Sequence, residues 1–317
     1  MRERVLMNRR TLFGTGAAAL LSTRVSRASA QTSPPIRIGI TLNDSGLGPA
    51  YAQDQGYFQR AGLNVDVQPF GNASTSAQAI TAGAIDVGIV DCLQVANAFI
   101  HGIPLAIFAG GCVFAKESPT LVMVTSKTSA IRGPKDLENQ TVGVVNLKSL
   151  SASAANEWLR VNGADPSKVK FFELPFPDMN TALERGTIAA ALQGEPFLSA
   201  AKANQRALGI PFEAIGKSFY VNVYAASRTW LAANGPLAHR LAAALYDTNR
   251  WVNTHRADSA TVESKFTKLP IETARTMARN TFATSFDPSL ISPVLDIGAR
   301  YNLIDRVVRA SEIAYPV

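Results

Sequence analysis

Four short polar stretches stand out along the first half of the chain. They are NDSGLG (43–48), GNASTS (71–76), Asp91 before Cys92, and NLKSLS (146–151). Each follows an apolar, strand-like run and leads into a segment with helical spacing. Asn43, Asp44, Ser45, Asn72, Ser74, Thr75, Asp91, Ser149 and Ser151 are therefore placed at helix starts. Side chains of these types can cap free backbone N–H groups. They can also join those N–H groups and the helix dipole in holding a polar or anionic ligand group. Capping alone accounts for any one of them, whereas four such ends converging on one cleft would form a binding site. Glu195 is a fifth candidate, between Gly194 and Pro196 in IAAALQGEPFLSAA (188–201). An acid beside a proline at a helix start suits the dipole. Pointing into a cleft instead, it would accept a hydrogen bond from a ligand N–H or O–H, or pair with a cation. Phe114, Phe197, Tyr51 and Tyr220 could supply apolar or stacking walls, although each also reads as ordinary core. Asn222, on the β-rich run 217–227, completes the candidate set.

The same inventory argues against catalysis. There is no nucleophile elbow, phosphate-cradling loop or HExxH. His101, His239 and His255 fall on predicted helix ends or faces. Cys92 and Cys112 lie outside any CxxC or histidine-rich context, so neither a metal nor a cofactor is expected. In an exported chain these two cysteines could be buried thiols or could form a disulfide.

These residues are positioned by alternating strands and helices. Strands are expected at 36–42, 64–69 and 85–90, with helices at 49–61, 74–82 and 91–101. A second block follows, with strands at 141–145, 168–174 and 188–193 and helices at 149–162, 178–185 and 196–205. The blocks resemble each other. IRIGITLN (36–43) aligns with QTVGVVNL (140–147), setting Gly39 over Gly143. AITAGAIDVGIVDCLQVANA (79–98) aligns with ALERGTIAAALQGEPFLSAA (182–201), setting Gly83 over Gly186, Ile85 over Ile188 and Cys92 over Glu195. Two matched blocks in one order at nearly one offset indicate an internal repeat. Short apolar strands alternating with helices imply parallel sheets covered on both faces, so two similar α/β lobes are expected. The runs 118–126 and 217–227 would cross between them as a two-strand hinge, and hinged lobes can close on a ligand. Lobe 1 would hold residues 31–125 and 222–317, and lobe 2 residues 126–221. From about residue 228 the pattern is helical, at 235–255, 257–267, 271–280 and 288–300, and this tail is expected to pack on lobe 1. In open α/β sheets ligands bind beyond the carboxyl ends of the strands, which is where the polar stretches lie.

The 317 residues are 47% hydrophobic and 17% charged, as in a soluble globular protein with a substantial core. The formal charge of +7 is concentrated at the start of the chain. Residues 1–30 hold six arginines and one glutamate, which leaves the remainder near +2. With no basic patch interleaved with aromatics, nucleic-acid binding is not expected. Residues 1–30 read as an export signal, with a basic start, an apolar stretch from Leu12 to Leu21, and a small-x-small site at Ala28 to Ala30. That stretch is too short for a permanent membrane span. Arg9 and Arg10 directly before it suggest twin-arginine export. Cleavage after Ala30 and a periplasmic location follow as expectations.

Several of these segments resemble a known family, the periplasmic solute-binding proteins of ABC importers for nitrate, aliphatic sulfonates, taurine and thiamine-pyrimidine precursors. The likeness rests on AYAQDQGYFQRAGLNVDVQPFGN (50–72), AITAGAIDVGIVD (79–91), GPKDLENQTVGVV (133–145) and GEPFL (194–198), and it spans residues 36–225. The resemblance implies a type II periplasmic-binding-protein fold, ligand capture between the lobes and delivery to an ABC permease by a monomer. It also implies that the loops at 43–45, 72–75, 91 and 149–151 line the site with Glu195 opposite. In the pyrimidine-precursor binders a glutamate near this turn meets ligand amino groups. The chain departs from those proteins in TLNDSGLG (41–48), which lacks their Trp-Pro-Asn pattern, and from the nitrate binders in lacking a strongly basic cleft motif. A sulfonate-like or an aminopyrimidine-like ligand both remain open. The same fold would also serve a sensor that docks a receptor, or an enzyme related to pyrimidine-precursor synthesis.

Overall fold

The computed structural model describes residues 34–317. The export signal and its cleavage site lie outside these residues. In chain order the strands are β1 (Ile36–Thr41), β2 (Val65–Phe70), β3 (Val87–Val90), β4 (Leu105–Gly110), β5 (Cys112–Val113), β6 (Leu121–Ser126), β7 (Thr141–Val144), β8 (Lys170–Glu173), β9 (Ala190–Gly194), β10 (Gln205–Gly209), β11 (Val223–Ser227) and β12 (Thr281–Phe282). One sheet has the order β2-β1-β3-β11-β4, and a second has the order β10-β6-β9-β7-β8. Within the first, β1 runs parallel to β2 and β3, and β11 is antiparallel to β3 and β4. Within the second, β7 runs parallel to β8 and β9, and β6 is antiparallel to β9 and β10. Read from opposite edges, the sheets share one plan, in which three parallel strands are followed by an antiparallel strand supplied by the other half of the chain. This is the type II periplasmic-binding-protein fold.

The internal repeat is visible atom by atom. Gly39 pairs with Gly88, and Gly143 pairs with Ala191. A Cβ on Gly39 would lie 2.6 Å from Ile85 Cδ1, and one on Gly143 would lie 3.0 Å from Ile188 Cδ1. Both glycines thus make room for the same isoleucine. Gly83 and Gly186 end equivalent helices with φ of 70° and 67°, a left-handed region where a side chain would be strained.

Each sheet is packed on both faces. Ile36, Ile38 and Ile40 of β1 join one core with helices Gly48–Asp54 and Gly235–Thr254. Val90, Leu105 and Ile107 join the core on the opposite face with helices Cys92–Ile100 and Ser292–Arg300. Val142, Val144 and Leu192 pack under helix Leu150–Val161, and Val122, Val124 and Ala191 pack under helix Phe176–Glu184. Apolar residues on both faces are the requirement for covered parallel strands.

The chain crosses between the sheets twice, after β5 and again before β11. The two crossing segments pair antiparallel. The Phe114 N–H donates to Phe219 O at 2.9 Å, and the Val221 N–H donates to Cys112 O at 2.8 Å. β6 belongs wholly to the second sheet, so a boundary at 125–126 would cut a strand, and the first crossing precedes Leu121. Other expectations shift as well. The helix expected over 49–61 breaks at Gly56, which has φ of 71°. The helix expected over 196–205 is only Phe197–Ala200, because Gln205–Gly209 becomes edge strand β10 against β6. The apolar run before Cys112 is β4. The helix expected over 271–280 stops at Thr276. Past it, Arg279 and Asn280 are held extended by Asp44, which accepts the Asn280 N–H and Nδ2–H at 2.6 Å each. Cys92 and Cys112 are separate buried thiols.

Candidate functional site

The carboxyl ends of β1, β3, β7 and β9 face a single cleft between the two sheets, with a volume of about 170 Å³. Asn43, Ser45, Asn72, Ser74, Asp91, Ser149, Ser151, Glu195 and Asn222 all line it. Asn43 and Glu195, 152 positions apart, thus line one cleft because equivalent strands end at the same level of two sheets that face each other.

Each helix start at the cleft carries its own cap. Asn72 Oδ1 accepts the Thr75 N–H at 2.9 Å before helix Ala73–Thr81. Asp91 Oδ1 accepts the Gln94 N–H at 2.9 Å before helix Cys92–Ile100, and Gln94 Oε1 accepts the Asp91 N–H at 3.1 Å. Ser149 Oγ accepts the Ala152 N–H at 3.3 Å before helix Leu150–Val161. Asn43 Oδ1 accepts the Gly46 N–H at 3.0 Å. The free N–H groups that could have held an anion are in each case partly claimed by the chain itself.

Asp91 is only 7% exposed. Burial pushes its carboxyl up to about 6, against the opposing pull of the Gln94, Leu93 and Leu150 amides. The Leu150 amide comes from the second sheet's side, so Asp91 reaches across the cleft toward that helix start. Glu195 is buried too. Its Oε2 accepts the Ser199 N–H at 3.0 Å and its Oε1 accepts the Ser199 hydroxyl at 2.8 Å. Burial raises its pKa, and the two Ser199 bonds oppose the rise. Glu195 is thus both a cap and part of the cleft wall. Two polar links also span the cleft. Ser74 Oγ accepts from Gln94 Nε2 at 2.9 Å and from Asn146 Nδ2 at 3.1 Å, and the Thr120 hydroxyl donates to Asn280 Oδ1 at 2.8 Å.

Three candidate residues stand elsewhere. Asp44 is fully buried behind the cleft, where it pairs with the Arg279 guanidinium. A desolvated carboxylate needs such a partner, and neither Asp44 nor Arg279 lines the cleft. Thr75 spends its hydroxyl on the capping box with Asn72, accepting its N–H at 3.3 Å. Phe114 lies one layer back, stacked on Phe219 at 5.2 Å and edge-on to Phe212 at 5.7 Å. The aromatic walls are instead Phe212 and Phe176, the latter stacked on Phe197 at 6.4 Å. Tyr51 is buried against Glu263, and Tyr220 accepts the Asp287 N–H at 2.8 Å; both are core.

Sequence reasoning missed Thr41, Gln94, Thr120, Asn146, Phe176, Phe212 and Asn280 as lining residues. Two of them carried a signal. Gln94 is the third residue after a cap, where a capping box places a glutamine, and Asn146 opens the polar loop already singled out. Asn280 carried none, because it is held at the cleft by Asp44 and Thr120, both far from it in sequence.

Residues 46–256 match the model of the NMT1/THI5 like family. A comparison with curated proteins gives no sequence match. Among solved structures, the periplasmic aliphatic sulphonate binding protein SsuA from Escherichia coli superposes with a TM-score of 0.74 at 20% identity, covering 90% of this chain and 94% of that one. The periplasmic nitrate-binding protein NrtA from Synechocystis PCC 6803 does so with a TM-score of 0.71 at 12% identity, covering 88% and 86%. The desulfurization enzyme DSZB follows with a TM-score of 0.68 at 12% identity, covering 89% and 96%. At these identities the likeness is one of fold.

Proposed function

Because the chain belongs to the NMT1/THI5 like family, we propose that it is an extracytoplasmic solute-binding protein of an ABC importer. It captures a small polar organic solute between two lobes and hands it to a membrane permease. The observation that carries this reading is the cleft itself, where polar strand ends of two like-built sheets converge while only two chain crossings join the halves. Such a pair can close around a solute and present the closed form to a partner. The lobes are residues up to about Lys116 together with 222–317, and the stretch between them. The family likeness and the signal-like residues 1–30 support export to the periplasm with cleavage after Ala30, and the protein acts as a monomer.

The fold is shared with an enzyme, so the chemistry of the cleft decides between binding and turnover. Ser149 and Ser151 hydrogen-bond to each other at 2.8 Å. No histidine, cysteine or lysine lines the cleft among the described residues, and the carboxylates that do, Asp91 and Glu195, are bonded to backbone amides and to Ser199 rather than to either hydroxyl. This supports capture over catalysis.

The test is a thermal-shift screen of Gln31–Val317, refolded to release any carried ligand, against sulfonates, nitrate, amines, aminoheterocycles and carboxylates. A ligand at about a hundred times its Kd stabilises by about 2.7 kcal/mol. Recovery of the bound compound unchanged, together with loss of its uptake in cells lacking this protein, is the expected result. Chemical conversion of the compound by the pure protein would refute the reading.

A further inference from the structure

The charge pattern of the cleft narrows the solute beyond what the fold gives. Two carboxylates, Asp91 and Glu195, line it, and no lysine, arginine or histidine does so among the described residues. The cations that touch or neighbour cleft-lining residues do not line it themselves, and Arg256 spends one N–H on Asn280 O at 3.0 Å. Arg279 lies behind Asn280, paired with Asp44 and 3.6 Å from Glu263. Lys148, beside Ser149, is exposed to solvent and does not line the cleft.

An anion would therefore find no counter-charge here. The other device for holding anions, a set of free helix N-termini, is partly taken up by the caps at Asn72, Asp91 and Ser149. One of those caps is itself a carboxylate, held where an anionic ligand group would sit. Among the described residues no cationic side chain acts on Asp91, and burial is the main influence on its carboxyl, opposed by the Gln94, Leu93 and Leu150 amides. A buried carboxylate at the wall of a cavity whose partners are backbone amides alone still gains from a ligand that brings it positive charge. The remaining walls, with Phe176, Phe212 and Leu121, suit an apolar body.

We propose that the cleft binds a small organic cation bearing N–H donors, such as an amine or amidine with an apolar body, and that Asp91 is its counter-ion. The proposal rests on the solute-capture reading and names the ligand class for the same site. Glu195, with both oxygens on Ser199, is the secondary acceptor. Anions of the sulfonate and nitrate type are rejected by like charge.

Matched probes test this. Benzamidinium and butylammonium are compared with benzenesulfonate and butanesulfonate, which have similar bodies and opposite charge. Binding is read by calorimetry and thermal shift at neutral pH, on the wild type and on Asp91→Asn. Asparagine caps a helix about as well as aspartate, so this variant removes the charge and keeps the cap. The expected result is that the cations bind and the sulfonates do not, with Asp91→Asn weakening the cations at least about tenfold, the loss of one charge-assisted hydrogen bond. Tighter binding of either sulfonate than of its cationic partner overturns the proposal and leaves solute capture standing. Equal affinity of wild type and Asp91→Asn for the cations overturns the counter-ion role. A growth-medium extract split on cation and anion exchangers is screened in parallel. Stabilisation by the anion-exchanger fraction alone refutes the ligand class, and stabilisation by no probe and no fraction refutes capture itself.

Discussion

Replacing Asp91 by asparagine should make the empty protein more stable while it weakens cation binding. Burial lifts the Asp91 carboxyl from its ordinary 3.8 to about 6. The folded state thus holds its proton more tightly than the unfolded state does. Below about pH 4 both states are protonated and the group is neutral in effect. As pH rises from about 4 to about 6, the unfolded state ionises first and folding loses stability; above about 6 the loss is constant. At 1.36 kcal/mol per pKa unit, the ceiling on that loss is about 3 kcal/mol. Water entering an open cleft would soften it to about 1–2 kcal/mol. The groups facing Asp91 are the amides of Gln94, Leu93 and Leu150, and Glu195 is the one other titratable side chain lining the cleft among the described residues. Asparagine keeps the cap to Gln94 and does not titrate. Urea unfolding of both proteins across an acid-to-neutral pH series is the assay. The variant should match the wild type near pH 4 and exceed it by about 1–2 kcal/mol at neutrality. A difference that does not change with pH, or a variant less stable at neutrality, would refute the reasoning. A buried residue that merely caps its helix would show the stability gain without the loss of affinity.

Glu195→Gln should cost about 1 kcal/mol, since an amide keeps one acceptor for Ser199 and loses the other; a double-mutant cycle with Ser199→Ala should show coupling, and additive effects would sink the capping role. Glu157 accepts from Arg160, Arg300 and Tyr301, and the Arg160 hydrogen bonds hold its carboxyl down at about 2 in spite of burial. It should add about 1–3 kcal/mol above pH 4.5, a contribution lost as pH falls toward about 2, so Glu157→Gln should flatten the acid limb of the stability profile. Arg279→Met should destabilise by about 3–5 kcal/mol, because Asp44 and Glu263 would be left buried without their cation; a milder loss in thermal unfolding would show that the network is readily neutralised. Cys92 and Cys112 should react with a thiol reagent only after denaturation, and oxidant should leave the melting temperature unchanged; a two-hydrogen mass loss with added stability would indicate a bridge.

Local pattern was enough for the alternation of strands and helices, the internal repeat and the polar strand ends, because each is written in neighbouring residues. Gly39 and Gly143 stand out as matched glycines in two aligned runs. Asn72, Asp91 and Ser149 stand out as caps before helical spacing. Their convergence also follows, since equivalent strands in a repeat end at equivalent levels. The direction each side chain takes does not. Asp44 reads like Asn43 and Ser45 in sequence, yet a charge fully out of water must find a partner, and Arg279, which does not line the cleft, offers one 235 residues away. That pairing in turn unwinds the end of a helix and brings Asn280 to the cleft, which no local spacing announces. Phe114 and Phe197 are aromatic and near the site, but packing sets Phe212 and Phe176 in front of them. The sequence by itself determined which elements form and where a site would lie. Only the tertiary structure decided which polar groups face it and that no cation does among the described residues, because charge pairing and desolvation act between residues far apart in the chain.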